Sequence, residues 1–203
     1  MPDNNPFKKY SPSIKKRWRT TAKRTARLKP FRSREATALR DAKIAIEDGD
    51  ENAEIHHELE IVLLIGKGGK ARSTNDANSF ICGYALGIDL TNRPLQDSLK
   101  NKQLPWLLSK SFVGSAIVSK FEKKEIIEDF WLKINGEEKQ RGNKNQMIFN
   151  IQDLVYYLSN KIPLMIGDII FTGTPNVVGP ITIGDRIEIG YGQKYINKLI
   201  VKN

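Results

Sequence analysis

Two carboxylates separated by a single apolar residue are the first candidates for chemistry in this sequence. Glu58 and Glu60 flank Leu59 in a segment that continues with only Ile, Val and Leu as far as position 65. In a β-strand, residues two apart project from the same face, so the two carboxylates would lie side by side. Burying such a pair costs on the order of several kcal/mol per charge, and a hard cation would neutralise it. Ligands that are all oxygen favour Mg²⁺ or Mn²⁺ over Zn²⁺ or copper.

The same spacing also fits an ordinary edge strand with a solvated acidic face, and the two glutamates alone leave that alternative open. The surrounding pattern predicts the strand itself. Leu59, Ile61 and Leu63 are apolar at every second position, and Gly66 ends the run. The strand would therefore hold both carboxylates on the face opposite to these apolar side chains.

The elements that follow are predominantly β-like. Residues 80–90 predict either a helix that runs into a strand or one long strand, and both alternatives place Asp89 near the end of an apolar element. Residues 92–102 predict a helix. Residues 130–134, followed by Asn135-Gly136, predict a hairpin with a type I′ turn whose second strand begins near Glu137.

The last third of the chain adds one helix and two similar turns. A helix is predicted from Ile151 to about Asn160, with Leu154, Val155 and Leu158 facing inward. The segments 167–170 and 184–187 each begin with Gly-Asp and lead into a short strand. We interpret them as successive strands of one roll or barrel, which makes the body β-dominated.

The positive charge of the chain is concentrated at its N-terminus. The formal net charge is +10 over 203 residues, and positions 1–43 alone hold 14 Lys and Arg against three acids, whereas the other 160 positions hold 19 basic and 20 acidic residues. We therefore predict a basic N-terminal arm over residues 1–45 and a single catalytic domain over residues 46–203. Within the arm, a helix could begin near Ser33 and continue to Ile46, and residues 47–54 suggest a loop.

Several classes of protein are disfavoured by the sequence. No run approaches the roughly 18 apolar residues of a membrane span, and we expect a cytoplasmic protein. The single Cys82 excludes an internal disulfide. The arm, with Tyr10, Trp18 and Phe31 among its basic residues, is compatible with binding nucleic acid or an anionic surface. No helix-turn-helix, zinc-finger or RNA-binding signature accompanies it, so nucleic acid is the less favoured partner.

From His56 to about Val201 the chain resembles the catalytic domain of the fumarylacetoacetate hydrolase superfamily, most closely its acylpyruvate hydrolase and oxaloacetate decarboxylase branch. The matching segments are 56–60, 83–93 with Gln96, 104–106, 109–112, 131–136, 147–149, 167–175 and 178–180. The resemblance implies an α+β fold, a β-dominated mixed β-sandwich roll with a few short helices. It also implies a homodimer.

The resemblance also implies a set of site residues. Glu58, Glu60 and Asp89 match the family's three metal-binding carboxylates, with Mg²⁺ or Mn²⁺ as the cofactor. Lys110 and Gln96 match catalytic positions of the family. The resemblance gives substrate-binding roles to Arg93 and Thr174. Three of them also have ordinary alternatives: Lys110 as a surface lysine, Arg93 as a solvated helix charge, and the segment that contains Thr174 as a simple turn.

The implied reaction is metal-dependent C–C bond cleavage of a small 2-oxo acid through a metal-stabilised pyruvate enolate. Hydrolysis of an acylpyruvate and decarboxylation of oxaloacetate share that enolate. One family feature has no match: a Gly-x-Asn-Tyr segment upstream of the Glu-x-Glu strand, followed by a His and a Glu that activate water. Because a general base contributes about 10²- to 10⁴-fold in rate, the alternative is a truncated, catalytically impaired family member.

Overall fold

The computed structural model describes residues 43–45 and 54–202. These residues form twelve strands and three α-helices, joined by loops and short 3₁₀ turns. The strands are β1 (Lys43–Ala45), β2 (Ile55–His57), β3 (Leu59–Ile65), β4 (Ile81–Asp89), β5 (Thr91–Asn92), β6 (Ala116–Val118), β7 (Phe130–Ile134), β8 (Glu137–Gly142), β9 (Ile169–Phe171), β10 (Gly179–Pro180), β11 (Arg186–Tyr191) and β12 (Lys194–Lys202). The helices are α1 (Thr74–Ala77), α2 (Arg93–Asn101) and α3 (Ile151–Lys161).

The described strands form three sheets. A five-stranded sheet has the order β1-β12-β11-β7-β8, a four-stranded sheet has the order β6-β4-β3-β9, and a small sheet has the order β10-β2-β5. The pairing of β1 with β12 is parallel, and the other pairings between the described strands are antiparallel. The α+β, β-dominated fold class expected from the sequence is confirmed.

Strand β3 lies in the interior of its sheet, between β4 and β9. Its apolar side chains are buried on both faces: Leu59, Val62 and Leu63 are all 0% exposed. Glu58 and Glu60 are themselves only 9% and 4% exposed, so their face of the strand is not solvated. The alternative of a solvated edge strand for Glu58 and Glu60 is therefore excluded.

The hairpin β7–β8 forms where the sequence predicts it. Asn135 and Gly136 have φ values of 53° and 88°, the left-handed conformations that a type I′ turn requires, and β8 begins at Glu137. The helix predicted from Ile151 is also present as α3, and its N-cap Asn150 accepts a hydrogen bond from the backbone of Asp153. Val155 is fully buried on its inner face.

The structure corrects two details of the sequence prediction, and a third lies outside the described residues. Residues 43–45 form a strand beside β12, where a helix from Ser33 to Ile46 was predicted, because pairing with a neighbouring strand overrides weak helical periodicity. The rest of that helix, the loop at 47–53 and most of the arm lie outside the described residues. The two Gly-Asp turns do lead into strands, but β9 and β11 belong to different sheets.

Strand β4 and helix α2 form where the sequence predicts them. Residues 81–89 form one long strand, and Asp89 is its last residue. Asn92 then caps α2 by accepting a hydrogen bond from the backbone N–H of Leu95 at 3.1 Å, and a proline occupies the first turn. No helix in the described part of the chain is long and apolar enough to cross a membrane.

Candidate metal centre

Three carboxylates meet on one face of the four-stranded sheet. Glu60 pairs with Gly87 across β3 and β4, and the N–H of Asp89 donates to the carbonyl of Glu58 at 2.9 Å. Directly opposed residues of antiparallel strands project from the same face, so Asp89 lies beside Glu58. One carboxylate oxygen from each of Glu58, Glu60 and Asp89 lies within 4.8 Å of the others. The alternation of β3 and the end of β4 together build this cluster.

Two cations contact the cluster. The Lys110 Nζ donates at 2.7 Å to both Glu58 Oε2 and Asp89 Oδ2. The Arg93 Nη2 donates to Glu58 Oε1 at 2.7 Å. Glu60 is not bonded to either cation, and its Oε2 accepts a hydrogen bond from the backbone N–H of Gly173 at 2.7 Å. Three carboxylates against two cations leave one negative charge uncompensated when all are ionised.

The pKa values of the three acids differ because their partners differ. Burial raises the pKa of Glu60 to about 7, and the charges of Asp89 and Glu58 add to the rise, while the hydrogen bond from the Gly173 N–H and the charge of Lys110 oppose it. Burial also raises the pKa of Asp89, against the hydrogen bond from Lys110. Burial acts in the same direction on Glu58, but hydrogen bonds from Lys110 and Arg93 outweigh it and lower its pKa.

The donor set fits a hard divalent cation. Oxygens bound to one Mg²⁺ at about 2.1 Å lie no more than about 4.2 Å apart, so small side-chain movements would bring the three carboxylates into its first coordination sphere. The ion would also relieve the mutual repulsion that raises the pKa of Glu60. A divalent charge would turn the local balance from one net negative to one net positive, which suits an anionic ligand.

The other residues singled out in the sequence occupy different positions. Lys110 touches two of the carboxylates. Arg93 touches one of them and also donates to Gln96 Oε1 at 2.6 Å, while its Nε lies 3.4 Å from His56 Nδ1. Gln96 is buried and accepts from Arg93 and Lys100, so it reaches the cluster only through Arg93.

Thr174 lies on the loop that follows β9, next to Gly173. Its hydroxyl donates to the carbonyl of Leu59 at 3.0 Å and accepts from Gln140 Nε2 at 2.8 Å. The loop also lines a groove of about 800 Å³ together with residues of β8 and the segment 146–149. The three carboxylates do not line this groove, but two of its lining residues adjoin Glu60: Ile61 follows it in the chain, and the Gly173 N–H donates to its Oε2.

Gln140 and the Gly173 N–H are site features that the sequence analysis did not identify. Gln140 stands in the polar run Glu-Glu-Lys-Gln-Arg and yet is 2% exposed. A regular hairpin would place Lys139 opposite the buried Leu132, and a register shift between Leu132 and Lys133 brings Gln140 there instead, so the sequence carried no signal for its burial. The backbone donor of Gly173 has no side-chain signature and could not be read from sequence.

Gly87 provides space beside Glu60. A Cβ at this position would lie 2.6 Å from Val62 Cγ2 and 2.8 Å from Phe171 Cε1. We expect Gly87→Ala to reduce the free energy of unfolding by about 1 to 3 kcal/mol, because the sheet has to shift to accept the methyl group. Urea denaturation measures this loss. Gly136→Ala is not a suitable control, since the φ of 88° at that position adds backbone strain. Ala85→Gly on the same strand adds no atoms, and its loss of stability comes from the missing methyl group and the greater backbone freedom of glycine.

The comparisons with known proteins agree with this site. The family model described as fumarylacetoacetate (FAA) hydrolase C-terminal matches residues 14–199. The chain is 47% identical over 141 residues to oxaloacetate tautomerase FAHD1, mitochondrial, of Mus musculus, which covers 67% of this chain and 64% of that protein. It is 40% identical over 145 residues to oxaloacetate decarboxylase, mitochondrial, of Dictyostelium discoideum, covering 69% and 66% respectively.

A solved structure adds a bound metal to the comparison. Fumarylpyruvate hydrolase from Pseudomonas aeruginosa in complex with Mn²⁺ and pyruvate superposes with a TM-score of 0.74 and 30% identity, over 80% of this chain and 71% of that one. The chain thus spans about two thirds of the length of the curated relatives and somewhat more of this structure. With the family model matched along most of its length, the chain belongs to the fumarylacetoacetate hydrolase family and carries that family's C-terminal domain.

Proposed function

We propose that this protein is a metal-dependent enzyme that cleaves a C–C bond in small 2-oxo acids, with oxaloacetate decarboxylation as its main reaction. The observation that carries the proposal is the convergence of Glu58, Glu60 and Asp89 on one face, with Lys110 among them. The names of the mouse and Dictyostelium relatives and the pyruvate in the Pseudomonas structure support the same substrate class.

The three carboxylates would hold Mg²⁺ or Mn²⁺. When bound there, the cation would supply Lewis-acid polarisation of the 2-oxo group of the substrate. The ammonium of Lys110 contacts two of the three carboxylates, and its pKa is raised: burial favours the neutral amine, but hydrogen bonds to Asp89 and Glu58 more than offset that. Lys110 therefore stays protonated and would stabilise the negative charge that develops on the pyruvate portion as CO₂ leaves.

Arg93 and Gln96 would act on the geometry of the site. Arg93 orients Glu58 through its Nη2, and the amide oxygen of Gln96 fixes the guanidinium from the other side. Arg93 could still contact a substrate carboxylate through a hydrogen that Glu58 does not use. Thr174 lines the groove beside the site, which supports the prediction that its loop contacts the substrate.

We propose decarboxylation in preference to hydrolysis because both histidines are engaged in contacts within the protein. His56 is hydrogen-bonded to Glu54 at 2.5 Å and lies against Arg93, and His57 is 2% exposed with its Nδ1 3.2 Å from Gln140. Within residues 54–202, neither imidazole is therefore available to activate water. Breaking the bond to a carboxylate releases CO₂ without a nucleophile, whereas cleaving an acylpyruvate requires one.

The assay that tests the proposal follows pyruvate release from oxaloacetate and from acetylpyruvate, with Mn²⁺, with Mg²⁺ and with excess chelator. We expect metal-dependent pyruvate release from oxaloacetate well above the blank that contains metal alone. Release from acetylpyruvate that equals or exceeds it would make hydrolysis the main reaction. If the protein accelerates keto–enol exchange of oxaloacetate without releasing pyruvate, its reaction is tautomerisation and not C–C cleavage. If neither substrate changes, the proposal that the protein is an enzyme is contradicted.

Metal binding should depend steeply on pH because of Glu60. Its pKa is raised to about 7 in the metal-free protein, so a cation has to displace a proton below that pH. We expect the Mn²⁺ affinity to change little between pH 8 and 9 and to fall by about tenfold per pH unit below 7. Titrations of Mn²⁺ at several pH values measure this profile. An affinity that is flat from pH 5.5 to 8 would contradict the role of Glu60.

The same raised pKa has a consequence for folding. A carboxyl whose pKa is higher in the folded than in the unfolded state contributes stability that is complete below the unfolded pKa of about 4.5 and is lost as pH rises through about 7. The contribution of Glu60 to metal-free stability should therefore decrease between pH 5 and 8. Glu60→Gln should flatten that part of the stability profile measured by urea denaturation.

We further propose that the protein is a homodimer. Several large apolar side chains near Lys110 are exposed, among them Leu107 and Leu108 at 68% each and Val113 at 76%. A second copy covering this segment would remove them from water. Light scattering after size-exclusion chromatography measures the mass in solution, and a monomer at micromolar concentration would contradict the proposal. A cytoplasmic location stays a prediction.

A further inference from the structure

Gln140 is a buried amide whose four hydrogen-bonding positions are all used. Its Oε1 accepts from the N–H of Leu59 at 2.9 Å and lies 3.2 Å from His57 Nδ1. Its Nε2 donates to Thr174 Oγ1 at 2.8 Å and to the carbonyl of Pro175 at 3.0 Å. A backbone N–H can only donate and a carbonyl can only accept, so these partners fix the orientation of the amide.

Two of these hydrogen bonds close a ring with a third bond, between Thr174 and Leu59. Gln140 receives the N–H of Leu59, the carbonyl of Leu59 receives the hydroxyl of Thr174, and that hydroxyl receives the Nε2–H of Gln140. The ring joins β8, β3 and the loop after β9, which are far apart in sequence. Strand β8 itself does not pair with β3 or β9, so the ring is a direct polar link between the five-stranded and four-stranded sheets.

The ring lies next to two of the three carboxylates. Leu59 lies between Glu58 and Glu60, and Thr174 follows Gly173, whose N–H binds Glu60 Oε2. A change at Gln140 would remove its hydrogen bond to Leu59, between two of the carboxylates, and its hydrogen bond to Thr174, on the loop that orients Glu60. The amide itself does not touch the carboxylates.

We propose that Gln140 is a positioning residue of the metal centre, holding the Glu58–Glu60 strand and the Gly173–Thr174 loop in the relative geometry that binds the cation. This inference rests on the proposed function for the metal, but not on which substrate is turned over. Partners behind metal ligands typically change metal affinity by about 10- to 100-fold when they are removed. Gln140 should have an effect of that size.

The test compares Gln140→Met with Ser159→Ala in the full chain. Methionine keeps the length of the side chain and removes its hydrogen bonds. Ser159 is also fully buried, and its hydroxyl accepts from the N–H of Ala71 at 3.1 Å and donates to the carbonyl of Tyr156 at 2.9 Å, none of which belongs to the site. Both variants lose buried hydrogen bonds, so urea denaturation should show a loss of stability in each.

The readout is the dissociation constant for Mn²⁺, measured from the electron paramagnetic resonance signal of the free ion. We expect Gln140→Met to raise this constant by about 10- to 100-fold. Ser159→Ala should leave it within about twofold of the unchanged protein. Mn²⁺ binding by folded Gln140→Met within that same twofold range would overturn the proposal, and so would an equal loss in Ser159→Ala.

Thr174→Val removes hydrogen bonds of the same ring independently of Gln140, because valine matches the shape of threonine but lacks its hydroxyl. If Gln140 and Thr174 act through one ring, the double variant should bind Mn²⁺ about as weakly as the weaker single variant. Losses that multiply would overturn the ring as the cause. Should Gln140→Met fail to fold, unchanged Mn²⁺ affinity in Thr174→Val would contradict the proposal on its own.

The two proposals fail in different ways. A protein whose Mn²⁺ affinity depends on Gln140 but that releases no pyruvate would contradict the proposed reaction and leave the positioning role intact. A protein that releases pyruvate with an unaltered Mn²⁺ constant in Gln140→Met would do the reverse. Failure of the unchanged protein to bind Mn²⁺ at all would overturn both.

Discussion

Asp89→Asn should reduce metal-dependent turnover of oxaloacetate by at least about 10²- to 10³-fold and should weaken Mn²⁺ binding in parallel. The amide matches the carboxylate in shape but removes one of the three negative charges that would hold the cation. It also leaves Lys110 with Glu58 as its only carboxylate partner in the cluster, which favours the ammonium over the metal at that carboxylate. Pyruvate release and Mn²⁺ titration measure the two effects.

Asp185→Asn is the matched control for this substitution. Asp185 accepts hydrogen bonds from the backbone of Thr182 at 2.8 Å and from the Asn135 side chain at 2.7 Å, at the beginning of β11 and away from the carboxylate cluster. It should lose some stability and keep its Mn²⁺ affinity. Turnover by Asp89→Asn at more than a tenth of the unchanged rate would remove Asp89 from the set of ligands.

Lys110→Met should separate metal binding from catalysis. The Lys110 ammonium donates to Glu58 Oε2 and Asp89 Oδ2, so it occupies hydrogen-bonding positions on two of the three carboxylates. Removing it adds one net negative charge to the cluster, so Mn²⁺ should bind as tightly as before or more tightly. Turnover should nevertheless fall by about 10²-fold, because the ammonium beside the developing negative charge is lost and the Arg93 guanidinium remains bonded to Glu58.

Lys144→Met controls for the loss of a lysine ion pair elsewhere. Lys144 bonds to Glu125 at 2.8 Å and is as buried as Lys110, but it belongs to a different part of the surface. Lys144→Met should change neither the dissociation constant for Mn²⁺ nor the turnover of oxaloacetate. If Lys110→Met lost Mn²⁺ affinity together with activity, Lys110 would be a structural support of the cluster and not a group that acts on the substrate.

The sequence predicted the ligand strand well because its signal is local. Alternating apolar positions from Leu59 to Leu63 determine both the strand and the common face of Glu58 and Glu60. The hairpin at Asn135-Gly136 was equally predictable, since few residues accept its positive φ values. The family resemblance added Asp89, because a single carboxylate at the end of a strand carries no signal of its own.

The contacts made across the fold could not be read from the chain. The burial of Gln140 follows from the register between β7 and β8 and from the packing of two sheets. The strand at 43–45 depends on β12, which lies about 155 positions later and pairs with it in parallel. Long-range pairing of this kind has no local pattern. The predicted arm and catalytic domain boundaries stay predictions, as does any role of the arm in binding anions.

The account depends on one divalent cation shared by Glu58, Glu60 and Asp89. Anomalous diffraction from crystals grown with Mn²⁺ tests this most directly. We predict a single strong anomalous peak for one Mn²⁺ ion within bonding distance of an oxygen of each of the three carboxylates. The Lys110 ammonium should be displaced from between Glu58 and Asp89. A structure in which Lys110 still bridges those two residues, with no anomalous peak beside Glu60 at saturating Mn²⁺, would contradict the central claim.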